Sequence, residues 1–379
     1  MILHCATCRF SPIAHLAVLI AVASTACGGG KGEPDISADL PWAGQRIEEG
    51  WINVSPGSFV YGAPEKQCWG WASVQAEVTL TRGFVVSPAE VTRAQWRAMG
   101  FSDPSPASAP QCDDCPVGRV NWYEALAYVN ALSRKAGLPE CYRLENCVGT
   151  IGAGCPPPND SSPAAKEWDL YGCAGEARFV ASYYICEWDV HRYPDRYSCP
   201  GYRLPTAAEW QYAARAGTIA DTYNGDVGEN SGNCEKSDVL EPIAWYCHNS
   251  EDRAHPVGLK QPNPWGLYDM IGNQWEFIDH IASGLPLEND EGHPPPLVDP
   301  IGRTEPESLD YERFGIKGGA WPVFWPVCRD EAHSVFDSSS KQRATYYGFR
   351  PVRTIFDPGS VPDGGAGRVS EPDLTSAAN

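Results

Sequence analysis

The sequence predicts an α+β domain that is loop-rich and disulfide-stapled, and three observations carry that reading. Apolar residues alternate over short runs between Gly50 and Val86. Two later stretches combine helical spacing with capping residues, one from Val120 to Ala136 and one from Thr206 to Ala216. Of the 15 cysteines, eleven fall between Cys68 and Cys247.

Residues 1–26 carry one basic residue, Arg9, and no acid. The run from Ile13 to Ala23 is mostly Ala, Val, Leu and Ile, broken by His15. It is too short to span a bilayer and suits a signal peptide. Ser24-Thr25-Ala26-Cys27 resembles a bacterial lipobox, with Ser24 replacing the usual leucine; Cys27 would then carry lipid and become the N-terminus. The alternative is cleavage near Ala26 without lipid. Gly28-Gly29-Gly30 and the polar run to Asp39 read as a flexible tether over residues 27–49. The folded domain is expected over residues 50–355, and residues 356–379, rich in Gly, Pro, Ser and Asp, read as a disordered tail. The expected location is the cell envelope, on a membrane through the lipid anchor. Cys27→Ser should move the protein to the soluble fraction; persistent membrane association would contradict the anchor.

Trp51, Val54, Phe59 and Tyr61, then Val78, Leu80, Phe84 and Val86, mark short strands. Glu90–Met99 reads as a short helix with Val91, Trp96 and Met99 inward. The next helix is the clearest: Asn121 caps it, Glu124 completes a capping box, and Trp122, Ala125, Leu126, Val129 and Leu132 form its apolar stripe. Residues 139–199 hold cysteines, glycines and prolines with weak periodicity. They read as a Cys-rich insertion, either a specificity surface or a solvent cover. Thr206 and Glu209 then box a helix whose terminator is Gly217. A Pro-rich loop is expected from Phe277 to Glu307.

Twelve cysteines remain once Cys5 and Cys8 leave with the signal and Cys27 takes lipid. An even number in an exported chain reads as disulfides. Cys112-Asp-Asp-Cys115 has the spacing of a redox or zinc half-site. No matching second Cys-x-x-Cys exists, and the two acids would raise the thiol pKa, so it too reads as structural.

The stretch Asn263-Pro-Trp-Gly-Leu-Tyr-Asp-Met-Ile-Gly-Asn-Gln-Trp-Glu276 places Asp269 and Glu276 around Gly272-Asn273-Gln274. Two carboxylates plus backbone carbonyls on an irregular loop make an oxygen-rich cage that a hard cation prefers. The competing reading is that both acids cap turns or pair with arginine. This stretch resembles the Gly-Leu-Tyr-Asp/Asn-x-x-Gly-Asn-x-Trp-Glu motif of the formylglycine-generating enzyme (sulfatase-modifying factor) family. Tyr202-Arg-Leu-Pro-Thr-Ala-Ala-Glu-Trp-Gln-Tyr-Ala-Ala-Arg-Ala-Gly217 is similar to that family's Arg-Leu-Pro-Thr signature. Glu90-Val91-Thr92 with Gln95-Trp96, Gly318-Gly319-Ala320-Trp321 and Gly348-Phe349-Arg350 fit in the family's order, from about Gly50 to Arg353. The resemblance implies the family's variant of the C-type-lectin-like fold, small twisted antiparallel sheets with a few helices. It also implies a calcium held by side-chain oxygens of Asp269 and Glu276 and carbonyls of Gly272 and Gln274, with another calcium possible in the loop from Asp221 to Asn233.

Oxidising members of that family convert a substrate cysteine to formylglycine, and the resemblance implies copper on two cysteines after a Gly-Gly-Ser. Two thiolates suit Cu(I). Here an ungapped count puts Ala320 at the serine, Val323 at the first cysteine and Cys328 at the second. Aligning Arg329-x-x-Ala332-His333-Ser334 with the family's later run shifts the register and leaves neither cysteine. Cys328 therefore reads as a disulfide partner before a catalytic or copper ligand, which makes copper doubtful. No His-x-x-x-His-x-Glu, Gly-x-Ser-x-Gly, phosphate loop or dinucleotide fingerprint accompanies these motifs.

The formal charge is −19, and −20 once Arg9 is lost with the signal, which argues against nucleic acid. The first expectation is a non-catalytic binding module for a peptide, protein or glycan. Its groove would be lined by Trp321, Phe324, Trp325 and Tyr346, unless these are simply core. The second is a formylglycine-generating copper oxidase acting on a cysteine of a sulfatase-type substrate.

Overall fold

Among the described residues, each of the three α-helices starts where local capping chemistry dictates. The computed structural model describes residues 50–62, 75–105, 111–147, 149–152, 184, 186, 190–227, 234–281, 295–301, 314–322 and 343–356. Helix α1 (Arg93–Arg97) is capped by Thr92, whose hydroxyl accepts from the Gln95 backbone while the Gln95 side chain accepts from the Thr92 backbone. The sequence had begun this helix at Glu90; Glu90 and Val91 instead precede it and are buried. Helix α2 (Trp122–Lys135) carries the expected Asn121–Glu124 box, and α3 (Ala207–Arg215) the Thr206–Glu209 box. Such a cap is worth on the order of 1 kcal/mol, because orphan donors of the first turn are satisfied. Helix α3 ends on Ala216 in the left-handed region at φ 47°, one residue before the glycine marked as terminator.

The described residues form three small sheets beside these helices. Strands β1 (Ile52–Val54), β4 (Phe84–Val86), β10 (Val352–Thr354) and β5 (Tyr202–Arg203) form an antiparallel sheet in the order β1-β4-β10-β5. The last strand thus lies between two earlier ones and closes the domain. Strands β2 (Gly57–Tyr61), β3 (Ala76–Leu80) and β7 (Leu297–Val298) form the second sheet. The third has the order β8-β6-β9, with β6 (Trp275–Ile281) between β8 (Phe314–Lys317) and β9 (Tyr347–Gly348). Two expectations are corrected here. Glu276 sits on a strand rather than an irregular loop, and the segment after Phe277 continues as β6 and returns as β7. Pairing with distant partners, not local sequence, makes these strands.

Helix α2 packs most of its surface: Trp122 stacks on Phe314 at 4.0 Å, and its indole donates to the Ile278 carbonyl at 3.0 Å. A second core gathers Trp210, Ala213 and Ala214 of α3 with Val78, Leu80, Val54 and Val352. All described residues belong to one compact unit, Gln45–Asn379. Among the described residues four disulfides join Cys112–Cys115, Cys141–Cys199, Cys147–Cys186 and Cys234–Cys247. The Cys112 pair is therefore a disulfide, as expected; Cys68, Cys155, Cys173 and Cys328 lie outside the described residues. So do Cys27, the lipobox, the tether and the tail. Among the described residues no helix is long and apolar enough to cross a membrane.

The insertion's stem is clamped to the core by Asp279 of β6. Its carboxylate, fully buried, accepts from the Tyr142 hydroxyl at 2.7 Å and lies 2.6 Å from His191 Nε2 and 3.8 Å from Arg196. Burial alone would raise this carboxyl, but His191, Arg196 and Tyr142 together hold it well below the usual aspartate value. A depressed carboxyl contributes stability that is present above an unfolded pKa of about 3.9 and lost as pH falls toward the folded value. The wild-type melting temperature should therefore drop steeply below about pH 4. Asp279→Asn should melt lower at neutral pH and show a flatter acid slope. Parallel slopes would show that the clamp does not titrate.

Candidate functional site

Around the first turns of β6 the chain buries three carboxylates against one guanidinium. Glu276 pairs bidentately with Arg350, Oε1 accepting from Nη2 at 2.6 Å and Oε2 from Nε at 2.7 Å. Its Oε2 also accepts from the Trp210 indole at 2.7 Å, and both members of the ion pair are 1% exposed. Arg350 donates further to the Tyr268 carbonyl at 2.9 Å. Asp269, at φ 53°, accepts from the Gly258 backbone through Oδ2 at 2.7 Å. Its Oδ1 is buried without a hydrogen-bond partner, and so are both carboxylate oxygens of Glu90.

Charge and burial act together here. Burial pushes the Glu90 carboxyl well above its ordinary value, and the neighbouring Asp269 and Glu276 push it further, with Arg350 opposing. Burial likewise raises Asp269 to about 6, against the pull of the Gly258 amide and Arg350. Orphaned buried oxygens are costly in a folded protein, and a proton, a water or an ion can compensate them.

The turn between Asp269 and β6 connects this cluster to the surface. Gly272 has φ 78°, and a Cβ there would collide with the Trp245 carbonyl. Its amide donates to the Gly318 carbonyl at 2.8 Å, and the Asn273 amide to the Trp245 carbonyl at 2.8 Å. The Asn273 carbonyl accepts from the Trp321 amide at 2.9 Å, and the Tyr346 carbonyl from the Trp275 amide at 2.9 Å. The Gln274 side chain reaches the Thr345 carbonyl at 3.3 Å. Trp321 and Tyr346, both partly exposed, meet edge to face with centroids 6.2 Å apart. The structure thus makes Asp269 and Glu276 electrostatic neighbours, with Gly272 and Gln274 between them in the chain, and hydrogen-bonds Trp321 and Tyr346 to the same stretch. Phe324, Trp325 and Cys328 lie outside the described residues. Ala320 is fully buried.

Sequence reasoning missed two members. Glu90 was read as the start of a helix and Arg350 as part of a motif without a partner. The signal for Glu90 is available in the sequence: an acid two residues ahead of the Thr92 cap lies outside the helix and does not serve its first turn.

Fold and site together define the class: a disulfide-braced α+β scaffold that buries an ionic cluster under a turn presenting aromatic side chains. The chain belongs to the sulfatase-modifying factor enzyme 1-like domain family, whose pattern it matches over residues 38–355. The chaperone protein LppX of Paenibacillus barcinonensis is 28% identical over 226 residues, 54% of this chain and 65% of that protein. The formylglycine-generating enzyme of Mycobacterium tuberculosis is 40% identical over 85 residues, 20% of this chain and 26% of that enzyme. These matches therefore span about two thirds and one quarter of the relatives. Among solved structures, Treponema denticola variable protein 1 superposes with a TM-score of 0.53 at 25% identity, covering 80% of this chain and 95% of that one.

Proposed function

We propose that the domain is a non-catalytic binding module of the cell envelope, anchored through Cys27, whose ligand surface centres on Trp321 and Tyr346. The observation that carries this reading is the loss of a thiolate from the sequence: an ungapped count puts Val323 where the resembling oxidases carry the first copper cysteine. The eight cysteines among the described residues are closed in disulfides, and Cys328 lies outside those residues. Ala320, without a hydroxyl, occupies the position where the resembling oxidases carry serine. The chaperone name of one relative supports a protein or peptide as the ligand. A rigid turn presenting two aromatic rings suits that role, because such rings contribute contact area at low entropic cost.

The cluster beneath fits a hard divalent cation, for which calcium is the proposal. Three buried carboxyl groups face the Arg350 guanidinium, and the free oxygens belong to Glu90 and Asp269. Glu276 contributes less freedom, since both its oxygens already accept hydrogen bonds. No group of three or more His, Cys, Asp or Glu side chains forms a metal centre among the described residues. The ion would therefore lean on backbone carbonyls, Gly272 and Gln274 in particular.

Counting free thiols in the non-reduced mature protein tests the reading. No free thiol and no Cu(I) uptake is the expected result. One reactive thiol at Cys328 that takes up Cu(I), with oxidation of a cysteine-containing peptide, would establish the oxidase instead.

A further inference from the structure

One of the described disulfides differs from the others in the loop it closes. Cys112 and Cys115 have a sequence separation of 3, against 13, 39 and 58 for the pairs of Cys234, Cys147 and Cys141. A disulfide adds least to the fold where its loop is shortest, so this pair opens at the smallest cost to the rest of the chain. Cys112 is partly exposed while Cys115 is 8% exposed, so an incoming thiol reaches the pair from the Cys112 side.

The turn inside this ring touches two neighbours. Towards α1, the Asp113 carbonyl accepts from the Ala94 amide at 3.0 Å and the Cys115 carbonyl from the Arg93 amide at 2.9 Å, which satisfies first-turn donors of that helix. Asp113 also pairs with Arg97 at 2.6 Å, and the chain just beyond the ring bridges Pro116 to Thr92 and donates from Val117 to the Val91 carbonyl at 2.9 Å. These bonds do not need the disulfide, and they keep the α1 side attached when it opens. On the other side the Asp114 carbonyl accepts from the Val257 amide at 2.9 Å, and Asp114 itself is exposed. The next amide, that of Gly258, donates to Asp269 Oδ2 at 2.7 Å. Two consecutive amides therefore tie the ring to the buried carboxylate cluster.

We infer that Cys112–Cys115 is a redox-operated clasp: reduction by a dithiol frees Val257 from the Asp114 carbonyl and loosens the hold of Gly258 on Asp269. A thiolate of the dithiol attacks Cys112 Sγ and forms a mixed disulfide. The Cys112–Cys115 bond breaks, and Cys115 leaves with the electron pair and takes up a proton. The second thiolate then attacks the dithiol's own sulfur in the mixed disulfide. Cys112 leaves and is protonated, two electrons have passed to the pair, and the dithiol ends as its own disulfide. Asp113 and Asp114 disfavour negative charge on the freed sulfurs. The pair therefore accepts electrons rather than attacking a client thiol or disulfide, and it acts on the neighbouring turn instead of catalysing exchange. Where the cluster holds an ion, opening the clasp weakens its grip; that consequence alone rests on the calcium reading, so the test is run in chelator.

Full-chain protein is equilibrated at neutral pH with graded ratios of reduced to oxidised dithiothreitol. Alkylation with peptide mapping then reports the open cysteines, and hydrogen exchange by mass spectrometry reports the amides. Cys112 and Cys115 should be labelled at less reducing ratios than the six other cysteines of the described disulfides. In that window Val257 and Gly258 should exchange about tenfold faster, the order expected for one lost hydrogen bond, with α2 unchanged. Cys112→Ser combined with Cys115→Ser should exchange as fast at these amides without reductant, and dithiothreitol in the same window should add nothing. The wild-type titration decides whether or not that variant folds. Earlier opening of another described pair, opening of this pair with unchanged exchange at Val257, or an equal rise across α2 would each overturn the clasp. The free-thiol count is made on non-reduced protein, so the binding-module reading stands or falls apart from this result.

Discussion

Adding calcium to metal-stripped protein should raise its melting temperature by about ten degrees, and Glu90→Gln should remove most of that rise. The size follows from linkage: an ion at roughly a thousandfold its Kd stabilises by about 4 kcal/mol, and each kcal/mol moves a domain of this size by about 2–4 °C. The sign of the Glu90 effect depends on the ion. Without calcium, Glu90 is a buried acid with two unpartnered oxygens beside two further carboxylates. Its neutral isostere relieves repulsion, so Glu90→Gln in chelator should be at least as stable as wild type. With calcium, the same change removes a hard anionic donor, and the variant should respond weakly. A wild-type protein indifferent to both calcium and chelator would remove the cation from the cluster. A Glu90→Gln variant that is destabilised equally with and without calcium would make Glu90 a packing residue.

What was legible in the sequence was local. The boxes at Asn121–Glu124 and Thr206–Glu209 join residues three apart, so a short stretch contains the whole interaction. The alternating runs near β1 to β4 were legible for the same reason, and so was the family motif around Gly272. What was not legible depends on distant partners. Strand β6 was read as loop beyond Phe277 because its strand character comes from β8 and β9. The Asp279 clamp joins β6 to the insertion through Tyr142 and His191, a meeting no periodicity encodes. Glu90 meets Asp269 and Glu276 only through the fold. The sequence had left open whether Asp269 and Glu276 bind a cation or pair with arginine. The geometry shows Glu276 paired with Arg350 and leaves Asp269 with a free oxygen, a division between two acids that spacing alone does not reveal.

Arg350→Ala should be the most damaging single change in the cluster and should make folding depend on calcium. Removing one partner of a buried ion pair costs about 3–5 kcal/mol, because the remaining charge is left uncompensated. Here three acids lose the guanidinium that faces them, and the Tyr268 carbonyl loses its donor. The variant should accumulate poorly in soluble form without calcium. Added calcium should raise its melting temperature more than that of wild type, since the ion then replaces the charge the guanidinium supplied. Pairing the change with Glu276→Gln separates charge from shape. A glutamine carbonyl still accepts from the Trp210 indole, so the double variant Glu276→Gln with Arg350→Ala should recover part of the loss in melting temperature. The effect should also reach the surface. Trp321 and Tyr346 hang from the turn that leads into Glu276, through the Asn273 carbonyl and the Trp275 amide. Fluorescence of Trp321, assigned by comparison with Trp321→Phe, should report a more solvent-exposed ring in calcium-free Arg350→Ala and a wild-type environment once calcium is added. A variant that melts like wild type in chelator would show that this ion pair does not hold the turn in place.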